Sequence, residues 1–431
     1  MAAREIRLCR RATAVDRLLK EGCNKMQDRY RAYADLALSV GLNLQAGQRL
    51  FLTAPIVAAD LVRVVAAAAY ERGAILVEVN WTDDDLTLAR FRHAPRDSFA
   101  EFPTWRADAM LAAAKRGDAF LSLRGTDPAL LKDEDPALVT TVQRTQAEHS
   151  RPYLSYITGH KVNWCVLSVP IESWARRIFP NVDDPIEKLW QAIGRACRLE
   201  EADPVSAWTT HLQQLAGRAA QLTDAAYDGL HFVGPGTDLT VGLVEGHKWI
   251  GGQSTTESGI TFTPNVPTEE VFTTPHRQRV DGTVAASKPL NYAGNLIEDF
   301  HLRFAEGRVV EIEAAAGEDV LQGLIDTDEG ASRLGEVALV PASSPIAATG
   351  LLFYNTLFDE NAASHVALGK AYDECVRGAD EMTAEALLTH GVNDSLTHVD
   401  FMIGGREMDV FGVRPSGRQE PLMTQGEWHQ G

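Results

Sequence analysis

The sequence predicts an α/β N-terminal domain, a parallel sheet with helices on both faces, followed by an α+β C-terminal domain. Three observations carry this. Short unbroken apolar runs alternate with alanine-rich helical stretches in the first half, the pattern of parallel strands covered on both sides. Near residue 228 the chain changes to alternating apolar and polar residues around Gly-containing turns, the pattern of hairpins. The polar residues that resist a packing explanation all fall after that change.

Taken in order, residues 1–27 are Arg-rich but carry Glu5, Asp16 and Glu21, which spoils a targeting peptide; they read as a poorly ordered extension, with Met26 as an alternative start. Residues 28–227 form the first domain. A helix from Tyr30 leads through the turn GLNLQAGQ into the strand RLFLTAP, the helix ADLVRVVAAAAYERG and the strand AILVEV. The strand DAFLSLRG, a helix around TTVQRTQAEHS, the strand WCVLSVP and a helical stretch at 184–227 complete it. Its strand-to-helix turns carry neither a dinucleotide nor a nucleoside triphosphate fingerprint. Residues 228–431 form the second domain. GLHFVGPGTDLTVGL and FHLRFAEGRVVEIEA read as hairpins, two helices are expected from near Asn361 and Thr383, and THVDFMIGG reads as the last strand.

The 431 residues hold 41 Lys+Arg against 59 Asp+Glu, a formal charge of −18, which opposes phosphate backbones and anionic lipid; nucleic acid and membrane are not expected partners. No apolar run approaches the ~18 residues a membrane span needs. Five cysteines (Cys9, Cys23, Cys165, Cys197, Cys375) are odd in number and scattered, which points to a reducing, cytoplasmic setting rather than a disulfide framework.

Five segments place acids or imidazoles where packing or a plain turn is expected: NVPTEEVFTTP (Glu269, Glu270), RLGEVALV (Glu336), LFDENAASH (Asp359, Glu360, His365), the turn at Tyr372, and LTHVDFMIG (His398, Asp400). On an alanine-rich helix, His365 and Tyr372 would share a face, since seven residues come within about 20° of two turns. His398 and Asp400, two apart on a strand, project from one face. Singly, each has an ordinary explanation as a cap, a solvated acid or a bonded core histidine. Jointly, two histidines and the four carboxylates Glu270, Glu336, Glu360 and Asp400 match the donors and charge that two divalent cations require.

These segments, with HFVGPGTDLTVGL before them and the terminal GEWHQ, resemble the ordered motif series of the metalloaminopeptidase family of aminopeptidase T, AmpS and PepS. The resemblance implies that Glu270, Glu336, Glu360, His365, His398 and Asp400 hold two metal ions; their N/O donors suit zinc, cobalt or manganese, and Glu336 is the favoured bridge. It implies that Tyr372 is catalytic, that the substrate is a peptide, and that the chain is a homodimer. Whether Glu336, Glu360 or neither takes the proton of the attacking water stays open. Two rivals are a mononuclear non-haem iron ring-cleaving dioxygenase using His365, His398 and Asp400, and an amidase acting on a small non-peptide amide.

Overall fold

The computed structural model describes residues 14–292 and 295–429. The first half contains a four-stranded, all-parallel sheet with strands in the order Leu76–Thr82, Arg49–Pro55, Ala119–Arg124, Trp164–Ser168, as the apolar runs predict. Helix Ala59–Glu71 buries a stripe of Leu61, Val62, Val65, Ala68 and Ala69. Three helices start the same way: Asp135, Asp184 and Asp203 accept backbone N–H groups of the first turn, and each is followed by proline, whose missing donor costs nothing there. The first of these, Pro136–Thr158, leads toward the strand Trp164–Ser168. The other two, Pro185–Ala196 and Pro204–Ala225, fill the predicted 184–227 stretch.

The expected extension divides. Residues 1–13 lie outside the described residues, whereas Ala14 already begins the helix Ala14–Leu36.

The second half holds an eight-stranded antiparallel sheet and a smaller four-stranded one. Both predicted hairpins are present, Gly229–Gly234 with Thr237–Leu243 and His301–Ala305 with Arg308–Glu313. THVDFMIGG is a strand, His398–Met402, but not the last: Asp409–Val413, Gln419–Thr424 and Glu427–Trp428 return to extend the larger sheet.

The expected helix from near Asn361 is absent. A short helix Thr356–Asp359 gives way to one tight turn, Glu360–Ala362, and His365–Gly369 is a strand buried along its whole length. The strand is buried on both faces, so exposure does not alternate along it, and five residues are too few for periodicity to separate that from a helix. The expected helix from near Thr383 does form, as Ala384–Thr389 capped by Thr383.

The halves share one apolar core running from Tyr33 to Met423. They also join at the edge of the parallel sheet, where Val166 donates to Pro264 O at 2.7 Å and receives from Val266 N at 3.0 Å. That pairing covers an otherwise open edge and brings segment 264–270 against the first half.

Candidate metal centre and active site

The smaller sheet is antiparallel with strands in the order His398–Met402, His365–Gly369, Leu334–Leu339, Val271–Thr273. Its register explains how distant residues meet. Asp400 pairs with Ala367, and Ala367 pairs with Glu336, so the two acids stand in one row across three strands with only an alanine methyl between them. By the two-residue period of a strand, His365 and His398 fall on the same face one step away. Glu336 is aimed by a bulge at Gly335, where the register shifts. A Cβ at Gly335 would lie 2.3 Å from Lys370 O and 2.4 Å from Gly369 O, so the bulge needs glycine.

Two groups of three candidate ligand atoms result, each within 4.8 Å: Glu270, Glu336 and His365, and Glu336, His398 and Asp400. His365 Nε2 lies 3.1 Å from Glu270 Oε2 and 4.0 Å from Glu336 Oε1; His398 Nε2 lies 3.2 Å from Glu336 Oε2 and 3.4 Å from Asp400 Oδ1. Glu336 belongs to both groups and turns one oxygen to each histidine. The Nδ1 atoms face backbone carbonyls, Ala363 O at 3.1 Å for His365 and Lys370 O at 2.7 Å for His398. An Nδ1–H donated there leaves the Nε2 lone pair directed into the site, the usual support of a metal-ligating imidazole. Glu360 joins neither group; its Oε1 is 3.4 Å from Asn361 Nδ2.

The electrostatics fit a cation. Burial raises Glu336 to about 7 and Glu360 well above the ordinary carboxylate range, with nearby carboxylates adding to both. Burial alone would lower the histidines, but Glu270 and the other acids raise His365 to about 10, and Asp400 with Glu336 raises His398 to about 11. Asp400 moves the other way: burial opposes its charge, but the histidines beside it hold it below its usual range. Its Oδ1 is buried and, among the described residues, has the His398 ring 3.4 Å away but no well-formed hydrogen bond. Protons here do what a divalent ion would do better: they neutralise acids crowded out of water.

Tyr372 reaches the site from the turn after His365–Gly369, not from a helix shared with His365. Thr274 Oγ1 donates to its carbonyl at 2.8 Å, its ring packs on Phe272 and His398, and its hydroxyl lies 3.4 Å from His398 Nε2. Burial and the facing carboxylates raise its pKa well above 10, so it stays a donor. Asp359 stands apart: its oxygens accept from Phe353 N at 2.8 Å and Asn355 N at 3.0 Å, and burial lifts it to about 6. It closes a turn.

Above these side chains lies a cavity of 260 Å³, lined by Glu270, Glu336, Glu360, His365, Tyr372 and Asp400 together with Ile250, Phe272 and Glu374. Its far wall includes Thr158, His160 and Trp164 from the first half, with His160 Nε2 2.8 Å from Glu374 Oε2. Nothing local in the sequence marks that wall, because it reaches the cavity only by tertiary packing.

The description "Thermophilic metalloprotease (M29)" belongs to a family model that matches residues 26–428. The chain belongs to that family. It is 47 % identical over 407 residues to aminopeptidase 2 of Geobacillus stearothermophilus, covering 94 % of this chain and 98 % of that one. It is 43 % identical over 407 residues to aminopeptidase AmpS of Bacillus subtilis, covering 94 % and 99 %. Among solved structures, wild-type AmpT from Thermus thermophilus superposes with a TM-score of 0.90 at 45 % identity, covering 94 % of this chain and all of that one. A 2,5-dihydroxypyridine dioxygenase from Pseudomonas putida KT2440 superposes at 0.52 with 13 % identity, over 95 % of this chain and 98 % of that one, a likeness of fold alone. The M29 membership confirms the resemblance read from the motifs and makes a divalent metal the expected cofactor. No described helix is long and apolar enough to cross a membrane.

Proposed function

We propose that this M29 chain is an aminopeptidase that removes the N-terminal residue of peptides with the help of two divalent cations. The observation that carries the reading is Glu336, shared by two ligand groups at the base of a substrate-sized cavity. Glu270, Glu336 and His365 would hold one ion, and Glu336, His398 and Asp400 the other. Bound there, zinc, cobalt or manganese would supply Lewis acidity toward the scissile carbonyl and a water acidic enough to attack it. Tyr372 directs its hydroxyl to the same region and can donate to the oxyanion of the tetrahedral intermediate. Glu360 either completes an ion's coordination or holds the water's proton. The apolar faces of Phe272, Ile250 and Trp164 would receive the substrate's first side chain.

The mononuclear oxygenase reading is not favoured, because His365 and His398 fall in different groups rather than in one facial triad. A reducing, cytoplasmic setting is supported by Cys165, Cys197 and Cys375, which are buried and unpaired. The homodimer rests on family resemblance.

The test is a panel of aminoacyl chromogenic amides, dipeptides and non-peptide amides, assayed after stripping and reloading with zinc, cobalt, manganese or iron. Metal-dependent release of N-terminal residues is expected. Undiminished peptide hydrolysis by fully stripped protein would sink the proposal, and turnover of the non-peptide amides alone would assign an amidase.

A further inference from the structure

Glu270 differs from the other members of the two ligand groups in one respect. Glu336, His365, His398 and Asp400 sit in strands and are placed by the ladder, whereas Glu270 lies one residue ahead of Val271–Thr273. Something else must hold it. The residue before it, Glu269, is buried and points the opposite way, to the first half of the chain. There Arg198 grips it with both arms of its guanidinium, 2.6 Å to Oε1 and 2.9 Å to Oε2. Arg198 is itself held 4.9 Å over the Trp208 ring. The backbone is fixed as well: Glu269 N donates to Asn361 Oδ1 at 2.7 Å, and His211 Nε2 hydrogen-bonds Thr268 O at 2.9 Å. Asn361 is fully buried and anchored by donating to Leu357 O at 3.0 Å.

We infer that Arg198, Glu269 and Asn361 are positioning residues that set the Glu270 carboxylate, and so tune the affinity of one ion site and not the other. Every arm of the clamp ends on segment 268–269 or beside Glu360. None of its hydrogen bonds reaches Glu336, His398 or Asp400. A bidentate guanidinium–carboxylate pair fixes direction as well as distance, and residues that orient ligands typically govern 10–100-fold in metal affinity.

The inference rests on the two-ion reading, and the experiment separates the two. Calorimetric titration of stripped wild-type protein with zinc should show two ions per chain; fewer would overturn the two-ion reading itself. In Arg198→Met, one ion should bind as in wild type and the other at least tenfold more weakly, with circular dichroism unchanged. Arg198→Lys, which keeps the charge but not the fork, should fall between. Two ions bound with wild-type affinity, or equal weakening of both in a folded variant, would overturn the positioning role. Should Arg198→Met fail to fold, Glu269→Gln gives the same reading: selective weakening of one ion supports the role, and unchanged or uniform affinity overturns it.

Discussion

Loading the candidate centre with metal should expel protons, and the raised histidines set the expected count. Without metal, the acids around them hold His365 protonated to about 10 and His398 to about 11, and burial holds Glu336 to about 7. Ligation needs all three deprotonated. At pH 8 both histidines are about 99 % protonated and Glu336 about 10 %, so filling both positions should release at least about two protons per chain; near pH 6 Glu336 raises this to about three. The sign follows. Protons compete with the ions, so affinity rises with pH, with the overall binding constant for the pair changing about a hundredfold per pH unit near 8 and about a thousandfold near 6. Zinc titrations at pH 8 in buffers of different ionisation enthalpy measure the count directly. Release of less than one proton per chain would mean that the histidines are neutral without metal or do not ligate, and the reasoning would fail.

Three further outcomes are expected. Tyr372→Phe should keep both ions while kcat falls roughly 10²–10³-fold with little change in KM; near-native kcat, or loss of metal, removes Tyr372 from catalysis. Ala367→Val would push a branched side chain between Glu336 and Asp400, so metal affinity should fall and stability should drop by about 1–3 kcal/mol, read by denaturant titration of stripped protein; unchanged metal binding would show that the row is not crowded. The stabilisation of the stripped protein by charged His365 and His398 is complete below about pH 6.5 and is lost as pH rises through about 10 and 11, because their folded pKa values exceed the unfolded one. The gap in Tm between loaded and stripped protein should therefore widen from pH 7 to pH 9.5, and a constant gap would contradict these values.

Much of the architecture was legible because local pattern and environment agree. RLFLTAP is largely apolar because its strand lies inside the parallel sheet with partners on both edges, and the hairpin around Glu306-Gly307 carries its own turn chemistry. The candidate ligands were legible as residue types out of place, and the structure brings Glu270, Glu336, His365, His398 and Asp400 together. What misled was HVALG: alanine before it and a seven-residue step from His365 to Tyr372 suggest a helix, yet the segment is an interior strand. The step to Tyr372 is a coincidence of spacing; a turn delivers the side chain instead. Gly335 reads as an ordinary strand glycine until the register shift beside it is seen. Glu269 was visible as unusual, but its meaning lay in Arg198, 71 residues earlier, which no local pattern joins to it.

The cavity's construction separates two kinds of change. Its floor, the ligand sheet, comes from the second half of the chain, whereas Thr158, His160 and Trp164 reach it from the first. Substitutions along 158–164 can reshape what the site admits while leaving the ladder that fixes Glu336, His365, His398 and Asp400 untouched. Substrate choice and reactivity can thus drift independently under selection, so relatives with the same ligand row need not share the same diet of peptides.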